Sequence, residues 1–442
     1  MRYNSFQMFE HDELKRGDPR FNLEDKELLQ IERFNRKMRA RGTLKKNLIN
    51  VSYDAFGLPS IRSTSYVGVF KTGKRTIQIL PKIAKKSPED SDSSEAVFRS
   101  ALRNLLFMLN FTRRLPIKEV DLSRLTRVDD NFFEFLIHIF AKNTLELLKR
   151  NLFKEYTERE ENLLFLKGKI KFIPHIKHNA ALKHRFYAEF DDFSVDNLLN
   201  QILKYTTYLL LDKCSSLDNS KKLQKIFFML DEVSLRAIVP QQFSKLKLTR
   251  LNSEFEPIVN LCQLIIEHAA LELRAGQLDV FSLVFDMNVL FEEFIGEFIK
   301  REFAHEFGEI TLQKPAVNFA QKYVNGVKPQ GVLRMKPDIV LQKKDGEPKL
   351  IVDTKYKELT GQGKKEGAYP SDIYQMYAYS KKYNSPNVIM LYPQFREQKK
   401  ASVFDVGDGT KIHIRTVNVC RDLKSDRKAL REELQIALSC AN

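Results

Sequence analysis

Two apolar segments near the C-terminus, RMKPDIVL and LIVDTKYK, flank the polar sequence KKDGEP and constrain the fold more than any other feature. Because Asp345-Gly346 is typical of a tight β-turn, the segments are predicted to form an antiparallel hairpin. In a hairpin symmetric about that dipeptide, facing residues have numbers that sum to 691, which places Asp338 opposite Asp353. Opposed Cβ atoms lie about 4.5–5.5 Å apart, so the two carboxylates repel each other unless a cation or a shared proton intervenes.

Lys355 lies two residues beyond Asp353 and therefore points to the same face of the hairpin. Two carboxylates and a lysine on one face have the composition of a divalent-metal hydrolase site. The carboxylates would hold Mg²⁺, and Lys355 would orient a water molecule or neutralise charge on a phosphate. The alternative is an exposed charge ladder, in which Asp338 merely ends a strand after Pro337.

The same segments resemble the PD-(D/E)xK nuclease core, and the motif positions are occupied by Pro337, Asp338, Asp353, Thr354 and Lys355. The next predicted helix, SDIYQMYAYS, adds a QxxxY pattern whose Gln375 and Tyr379 share one helix face. This combination resembles RecB-like nucleases and, more closely, the McrC family of nuclease subunits in McrBC-type restriction systems. Further McrC-like segments are VGVFKTGKRTIQILPKI, YTEREENLLFLKGKI and FDMNVLFEEFI, so the resemblance spans residues 60–420.

The resemblance implies a Mg²⁺-dependent endonuclease that cleaves modified (methylated) DNA together with an McrB-like AAA+ GTPase ring, whose hydrolysis it stimulates. It implies that Asp338 and Asp353 bind the metal, with the main-chain carbonyl of Thr354 as a third ligand. Lys355 would act on the water or the phosphate, while Gln375 and Tyr379 would position Lys355 or the DNA backbone.

The helix before the hairpin usually adds an acid to the site in this fold, and LFEEF offers Glu292 and Glu293. Both residues lie at a similar angle from the apolar stripe, so helical geometry does not choose between them. The family segment favours Glu292, and an ordinary exposed helix face is the alternative. The stripe consists of Met287, Leu290, Phe291, Phe294, Ile295 and Phe298.

The patterning predicts a multidomain α+β protein with three regions. Residues 1–95 are predicted to form a β-rich, partner-docking domain, with strands between residues 47 and 83. Residues 96–280 are predicted to be mainly helical, with one turn and strand around Gly168. Residues 281–442 are predicted to form an α/β nuclease domain that opens with a helix from 282 to 303.

Charge and hydropathy limit the classes of partner. The net charge is +16, and seven basic residues between Arg33 and Lys46 could contact DNA or an acidic protein surface. No apolar segment is long enough to predict a membrane span, and no secretory signal is visible, so we expect a cytoplasmic protein.

Two other patterns are poor indicators of function. Residues 68–74 fit GxxxxGK, but Arg75 replaces the usual Ser or Thr and a strand follows, so we predict a hairpin turn and no nucleotide bound by this chain. His175, His178 and His184 lack Cys or carboxylate neighbours at zinc-ligand spacing, so we interpret them as structural or phosphate-facing.

Two alternative functions remain open. A non-cleaving activator that docks on the GTPase ring would need no active site, which the two facing carboxylates argue against. A stand-alone RecB-like nuclease would need no ring, which the McrC-like segments outside the nuclease region argue against.

Overall fold

The computed structural model describes residues 5–72, 75–82, 94–112, 114–115, 132–273, 280–313, 317–324, 327–342, 349–359, 369–395 and 401–439. Its α-helices are α1 Asp25–Ala40, α2 Ser94–Phe111, α3 Phe132–Arg150, α4 Phe172–Asn179, α5 Leu198–Lys213, α6 Leu217–Met229, α7 Glu256–Leu273, α8 Met287–Glu302, α9 Pro370–Tyr383 and α10 Arg427–Ser439. Its strands are β1 Ser5–Phe9, β2 Glu13–Lys15, β3 Ile49–Tyr53, β4 Pro59–Ser63, β5 Tyr66–Thr72, β6 Arg75–Leu80, β7 Glu155–Leu163, β8 Lys169–Ile170, β9 Phe186–Ser194, β10 Val280–Asp286, β11 Glu309–Leu312, β12 Val317–Val324, β13 Val327–Met335, β14 Ile339–Gln342, β15 Leu350–Thr354, β16 Asn387–Pro393, β17 Ser402–Asp405 and β18 Lys411–Val417.

Contacts divide the chain into two units, Met1–Leu125 with Leu278–Asn442, and Thr126–Gln277. This grouping differs from the three predicted ranges 1–95, 96–280 and 281–442. The reason is β10, which pairs antiparallel with β5 along its whole length and so joins the chain after residue 280 to the N-terminal sheet.

The predicted start of the nuclease-domain helix at residue 282 is wrong. Residues 282–286 belong to β10, and α8 begins at Met287, where the Asp286 side chain accepts a hydrogen bond from Asn288 N at 3.0 Å. A short apolar run such as VFSLVFD fits a buried strand as well as a helix, so periodicity alone could not separate the two.

The N-terminal part of the first unit contains a four-stranded sheet, β1-β6-β5-β10, and a three-stranded sheet, β2-β4-β3. The strands predicted between residues 47 and 83 are confirmed as β3 to β6. The basic run begins on α1, whose Arg33, Arg36 and Arg39 are exposed while Ile31 and Phe34 are buried on the opposite face.

The C-terminal part contains a six-stranded mixed sheet in the order β11-β14-β15-β16-β18-β17. The predicted hairpin register is confirmed, because β14 and β15 pair antiparallel with Ile339 opposite Val352 and Leu341 opposite Leu350. The turn KKDGEP lies outside the described residues. The strand β15 then pairs in parallel with β16, and β16 with β18, so their carboxyl ends meet at one edge of the sheet.

The segment GVLRMKPDIVLQ, predicted as one strand, forms two. The chain leaves β13 at Met335, passes through Pro337 and Asp338, and enters β14 at Ile339. Pro337 has no amide hydrogen for a sheet ladder, which explains a break here. The strand β13 pairs with β12 in a separate two-stranded ribbon.

The three helices predicted in the C-terminal part are present: α8 precedes the six-stranded sheet in sequence, α9 lies between β15 and β16, and α10 follows β18. Every residue of the apolar stripe on α8 is buried. Gly296 permits α8 to approach β11, because a Cβ atom there would lie 3.1 Å from Leu312 Cδ2. Among the described residues, no helix combines the length and the apolar character needed to cross a membrane.

In the second unit, the predicted packing helices correspond to α3, α5 and α7, and the turn at Gly168 (φ 71°) is confirmed. A three-stranded sheet, β7-β9-β8, was not predicted, because the charged sequence EYTEREENL of β7 has no apolar alternation. Large apolar side chains near the β8 end of this sheet are 53–82% exposed. We call this set the apolar tip: Leu164, Phe165, Leu166, Phe172, Ile173 and Ile176.

Candidate active site

The two predicted carboxylates lie beside each other where the hairpin strands meet the sheet edge. Asp338 directly precedes β14, and its Oδ2 accepts hydrogen bonds from Thr354 N at 2.7 Å and from Thr354 Oγ1 at 2.9 Å. Asp353 lies inside β15 and is only 2% exposed. The hairpin register therefore places both side chains in a largely buried environment, which is unusual for acids.

Lys355 joins these carboxylates to the QxxxY residues of α9. Its Nζ lies 2.5 Å from Asp353 Oδ2 and donates a hydrogen bond to Gln375 Oε1 at 3.2 Å. Gln375 Nε2 donates to the hydroxyl of Tyr379 at 3.0 Å, and that hydroxyl donates to the Lys336 carbonyl at 3.1 Å. The structure thus connects Asp353, Lys355, Gln375 and Tyr379 by direct contacts, and the charge of Asp338 acts on Asp353 and Lys355.

Burial and mutual repulsion shift the pKa values of the acids upward. Burial, followed by the charge of Glu292, raises the pKa of Asp338 to about 6. Burial, followed by the charge of Asp338, raises the pKa of Asp353 to about 7. Burial disfavours the Lys355 ammonium, but the charges of Asp353 and Asp338 outweigh it and raise the pKa of Lys355.

The two glutamates of α8 have different partners. Glu293 forms a bidentate ion pair with Arg114, with Nη2 and Oε1 2.6 Å apart. Glu292 accepts a hydrogen bond from Gln313 Nε2 at 2.9 Å, and its charge acts on Asp338. The geometry therefore favours Glu292 as the acid that completes the site, in agreement with the family segment.

Glu292, Glu293 and Asp338 line a cleft with a volume of about 410 Å³. Gln313, at φ 44°, crosses this cleft: its N–H donates to the Asp338 carbonyl at 2.7 Å, and its Oε1 accepts from Lys336 Nζ at 3.0 Å. Sequence reasoning missed Gln313 and Arg114, because neither belongs to a motif and each meets its partner only through the tertiary fold.

A third missed contact lies behind Lys355. The hydroxyl of Tyr356 donates a hydrogen bond to Glu10 Oε1, which also accepts from Lys82 N at 3.0 Å. The Tyr356 ring lies 5.6 Å from the ring of Phe291, next to Glu292. Burial raises the pKa of Glu10 to about 7. The end of β1 is therefore tied to the residue that follows the catalytic-motif lysine.

The donor set fits a divalent cation. Asp353 Oδ2 is buried and accepts no hydrogen bond of ordinary geometry from the described residues, although Lys355 lies beside it as an ion-pair partner. No group of three or more His, Cys, Asp or Glu side chains in the described ranges is arranged to hold a metal. A cation here would therefore bind two carboxylates, a main-chain carbonyl and water, which is a ligand set that Mg²⁺ accepts.

The two poor indicators of function have structural explanations. Strands β5 and β6 pair antiparallel on either side of residues 73 and 74, which lie outside the described residues, so the strand predicted after GxxxxGK is confirmed. His175 Nδ1 accepts from Tyr187 N at 3.2 Å, and the His178 ring stacks on Tyr187. His184 is exposed and takes part in neither of these two contacts.

Comparisons with known proteins identify chains with a similar fold. A chain of the refined half-complex from a tetradecameric assembly of Thermococcus gammatolerans McrB AAA+ hexamers with bound McrC has the same fold. Its TM-score is 0.71 at 22% identity, over 98% of this chain and 99% of that chain. A chain of the T. gammatolerans McrBC complex gives a TM-score of 0.52 at 24% identity, over 67% and 87%. Among curated proteins, none matches significantly.

The fold and the site define a multidomain α/β protein with a buried carboxylate and lysine centre. Residues 61–393, which are more than half of the chain, match the family model of the McrBC 5-methylcytosine restriction system component. The chain belongs to that family.

Proposed function

We propose that this chain is the DNA-cleaving subunit of an McrBC-like restriction system in the cytoplasm, and that its C-terminal part is a PD-(D/E)xK nuclease. The observation that carries the proposal is the hairpin register, in which Ile339 pairs with Val352 and the adjoining Asp338 and Asp353 act on each other's charge, with Lys355 2.5 Å from Asp353. A buried pair of repelling acids costs stability, so a bound cation is a direct reason for keeping it.

Asp338, Asp353 and the Thr354 carbonyl would hold Mg²⁺, which makes a bound water more acidic and neutralises charge on the scissile phosphate. Thr354 fixes the Asp338 carboxylate through two hydrogen bonds, which leaves Asp338 Oδ1 to face the cation. Glu292, held by Gln313, adds negative charge beside Asp338.

Lys355 remains protonated and supplies the positive charge that the attacking water or the phosphate needs. Gln375 accepts from its Nζ, and Tyr379 fixes Gln375 in turn. Burial raises the pKa of Tyr379 to about 12, so its hydroxyl stays protonated at neutral pH and continues to donate to the Lys336 carbonyl.

We also propose that the chain works with an McrB-like AAA+ GTPase ring, which hydrolyses GTP and recognises the modified base, while this chain binds no nucleotide. The similar T. gammatolerans structures are assemblies of McrB hexamers with McrC, which supports this partner. The apolar tip of the second unit is the described surface whose chemistry best suits a protein partner.

The test is cleavage of methylated plasmid by the chain with its cognate ring, GTP and Mg²⁺. Wild type cuts, whereas Asp353→Ala and Lys355→Ala cut about 10³-fold more slowly and still stimulate the GTPase. The matched control is Lys411→Ala, an exposed lysine at the opposite end of the parallel strands, which cuts like wild type.

The remaining outcomes separate the alternatives. If Asp353→Ala and Lys355→Ala cut like wild type, the assigned site is wrong. A wild-type chain that stimulates the GTPase but never cuts is a non-cleaving activator. A chain that cuts linear DNA with Mg²⁺ alone, without ring or GTP, is a stand-alone nuclease.

A further inference from the structure

The ribbon formed by β12 and β13 directly precedes the proposed active site in the chain. The two strands pair only with each other and belong to no larger sheet of the described chain. At its base, Met335 is 8% exposed and joins the apolar core beside β15. The chain runs from Met335 through two residues directly to Asp338, so the base of the ribbon adjoins the site.

The ribbon has an unusual charge pattern. From Val317 to Pro337 the sequence contains four basic residues and no acid. Of these, Lys322 and Arg334 are exposed, and neither has a hydrogen-bond or ion-pair partner among the residues that the structure describes. The free cations of the ribbon are therefore available to an external anion.

Register places these cations together. Asn318 lies opposite Arg334, and Lys322 lies opposite Gln330. Because residues 330 and 334 are an even number of positions apart on β13, Lys322, Gln330 and Arg334 fall on one face of the ribbon by strand alternation, whereas the Asn318 side chain lies against Gly331. This face presents two cations and one amide and no negative charge. The other side carries exposed apolar groups, including Tyr323 and Leu333.

An isolated two-stranded ribbon is marginally stable in water, so exposure on both sides calls for a second surface that covers it. Leu333 strengthens this argument, because it adopts φ 56° and is nevertheless 69% exposed. A left-handed conformation is costly for a leucine, and its side chain gains no burial in compensation within the described chain.

We propose that the β12–β13 ribbon binds duplex DNA beside the cleavage site, with Lys322 and Arg334 on backbone phosphates. This inference rests on the proposed nuclease function. A two-stranded ribbon fits the major groove, and its charge is complementary to the phosphate backbone. Arg334 and Gln330 precede Asp338 by four and eight residues, so a maximum of about 3.3 Å per residue limits their separation from Asp338 to about 13 and 26 Å. At about 3.4 Å per base pair, the contacts fall within about eight base pairs of the scissile phosphate.

The experiment measures binding of the full chain to a fluorescein-labelled, unmodified 30-base-pair duplex, at several NaCl concentrations, and cleavage of methylated plasmid with the cognate ring. The double variant Lys322→Gln/Arg334→Gln weakens duplex binding about tenfold or more at 0.1 M salt and lowers the salt slope by about two. Cleavage falls while GTPase stimulation is unchanged. Lys424→Gln/Lys428→Gln removes the same charge from exposed positions at α10 and leaves every readout at the wild-type value.

Charge-conserving substitution separates a phosphate contact from a folding defect. Lys322→Arg/Arg334→Lys keeps both charges and retains duplex binding, and a glutamine variant that is misfolded shows a lowered melting temperature. If the glutamine variant binds and cuts like wild type, the ribbon proposal is overturned while the nuclease function stands. If it binds duplex normally but no longer stimulates the GTPase, the ribbon contacts protein and the proposal is again overturned. A wild-type chain that neither binds nor cuts DNA overturns the nuclease function itself.

Discussion

Two regions of this protein depart from the usual distribution of side chains in opposite ways. In the first unit, Asp353 is 2% exposed and Asp338 lies beside it, although acids rarely lose contact with water. In the second unit, the apolar tip exposes six large aliphatic and aromatic side chains, although such groups usually lie in the core. Each departure costs free energy in the isolated chain, and each is relieved by a different kind of ligand.

The contrast between buried acids and exposed apolar side chains indicates which kind of ligand each region needs. Buried like charges are relieved by a cation, so the carboxylate site calls for a metal and then for a phosphate. Exposed apolar surface is relieved by another apolar surface, so the tip calls for a protein. Cleavage and ring activation are therefore expected to be separable by mutation, because they use opposite chemistry on different units.

The largest effect expected on ring binding concerns the tip. Phe172→Ser/Ile173→Ser is expected to weaken ring binding about 100-fold, measured by GTPase stimulation, because buried aromatic and aliphatic anchors carry most interface energy. Melting temperature should stay unchanged, because both side chains are exposed in the free chain. Phe228→Ser, at an equally exposed position on α6, is the matched control.

The alternative docking surface is the predicted N-terminal region. If the tip variant stimulates the GTPase like wild type and Arg36→Gln/Arg39→Gln does not, the ring docks on that region instead.

The next effect tests the cost of the buried acids. The pKa of Asp353 is raised to about 7 in the folded chain, so between about pH 4 and 7 the folded state binds more protons than the unfolded state. Stability of the metal-free protein therefore falls as pH rises through this window, and the full cost is present above pH 7. Asp353→Asn cannot ionise, and we expect it to raise stability at pH 8 by on the order of 2 kcal/mol.

Urea unfolding of metal-free protein at pH 8 and pH 5 measures this gain, which should shrink at the lower pH. Asp405→Asn, on the exposed strand β17, is the control and should change stability little. If Asp353→Asn is less stable than wild type at pH 8, the carboxylate is needed to balance the positive charge of Lys355.

The sequence predicted the parts of the site that depend on local rules. A tight turn and a side-chain period of two fixed the hairpin register, and the 3.6-residue period identified the buried face of α8. The choice between Glu292 and Glu293 depends on Arg114, which is 179 residues away in sequence from Glu293. No local pattern carries that information, so only the tertiary fold distinguishes the two acids.

The missed elements share a physical cause. The ribbon strand β12 and the charged strand β7 are exposed on both faces, so neither shows the apolar alternation by which strands are recognised. Strand β10 shows the reverse problem, since its short run is buried on both faces and shows no apolar alternation. Hydrophobic patterning reports burial on one face, and it fails where a strand buries both faces or neither.

A smaller effect concerns proton competition at the carboxylate site. Metal ligands must be deprotonated, and the pKa values of Asp353 and Asp338 are raised to about 7 and about 6. We therefore expect the Kd for Mg²⁺ to rise about tenfold between pH 7 and pH 6, and less between pH 8 and pH 7. Calorimetric titration at the three pH values measures it. An equally tight Kd from pH 8 to pH 6 would mean that the raised pKa values do not govern binding.

The smallest effect tests the contact behind Lys355. Tyr356→Phe removes the hydroxyl that donates to the buried Glu10, so we expect a loss of about 1 kcal/mol in stability and a modest fall in cleavage rate. Tyr392→Phe is the matched control. The buried Tyr392 hydroxyl has no hydrogen-bond partner in the described chain, so its removal should not lower the free energy of unfolding. If the two variants lose the same stability, the cost comes from the lost packing of the hydroxyl oxygen and not from the Glu10 hydrogen bond. If Tyr356→Phe lowers GTPase stimulation as well as cleavage, the contact acts on the whole first unit and not on Lys355 alone.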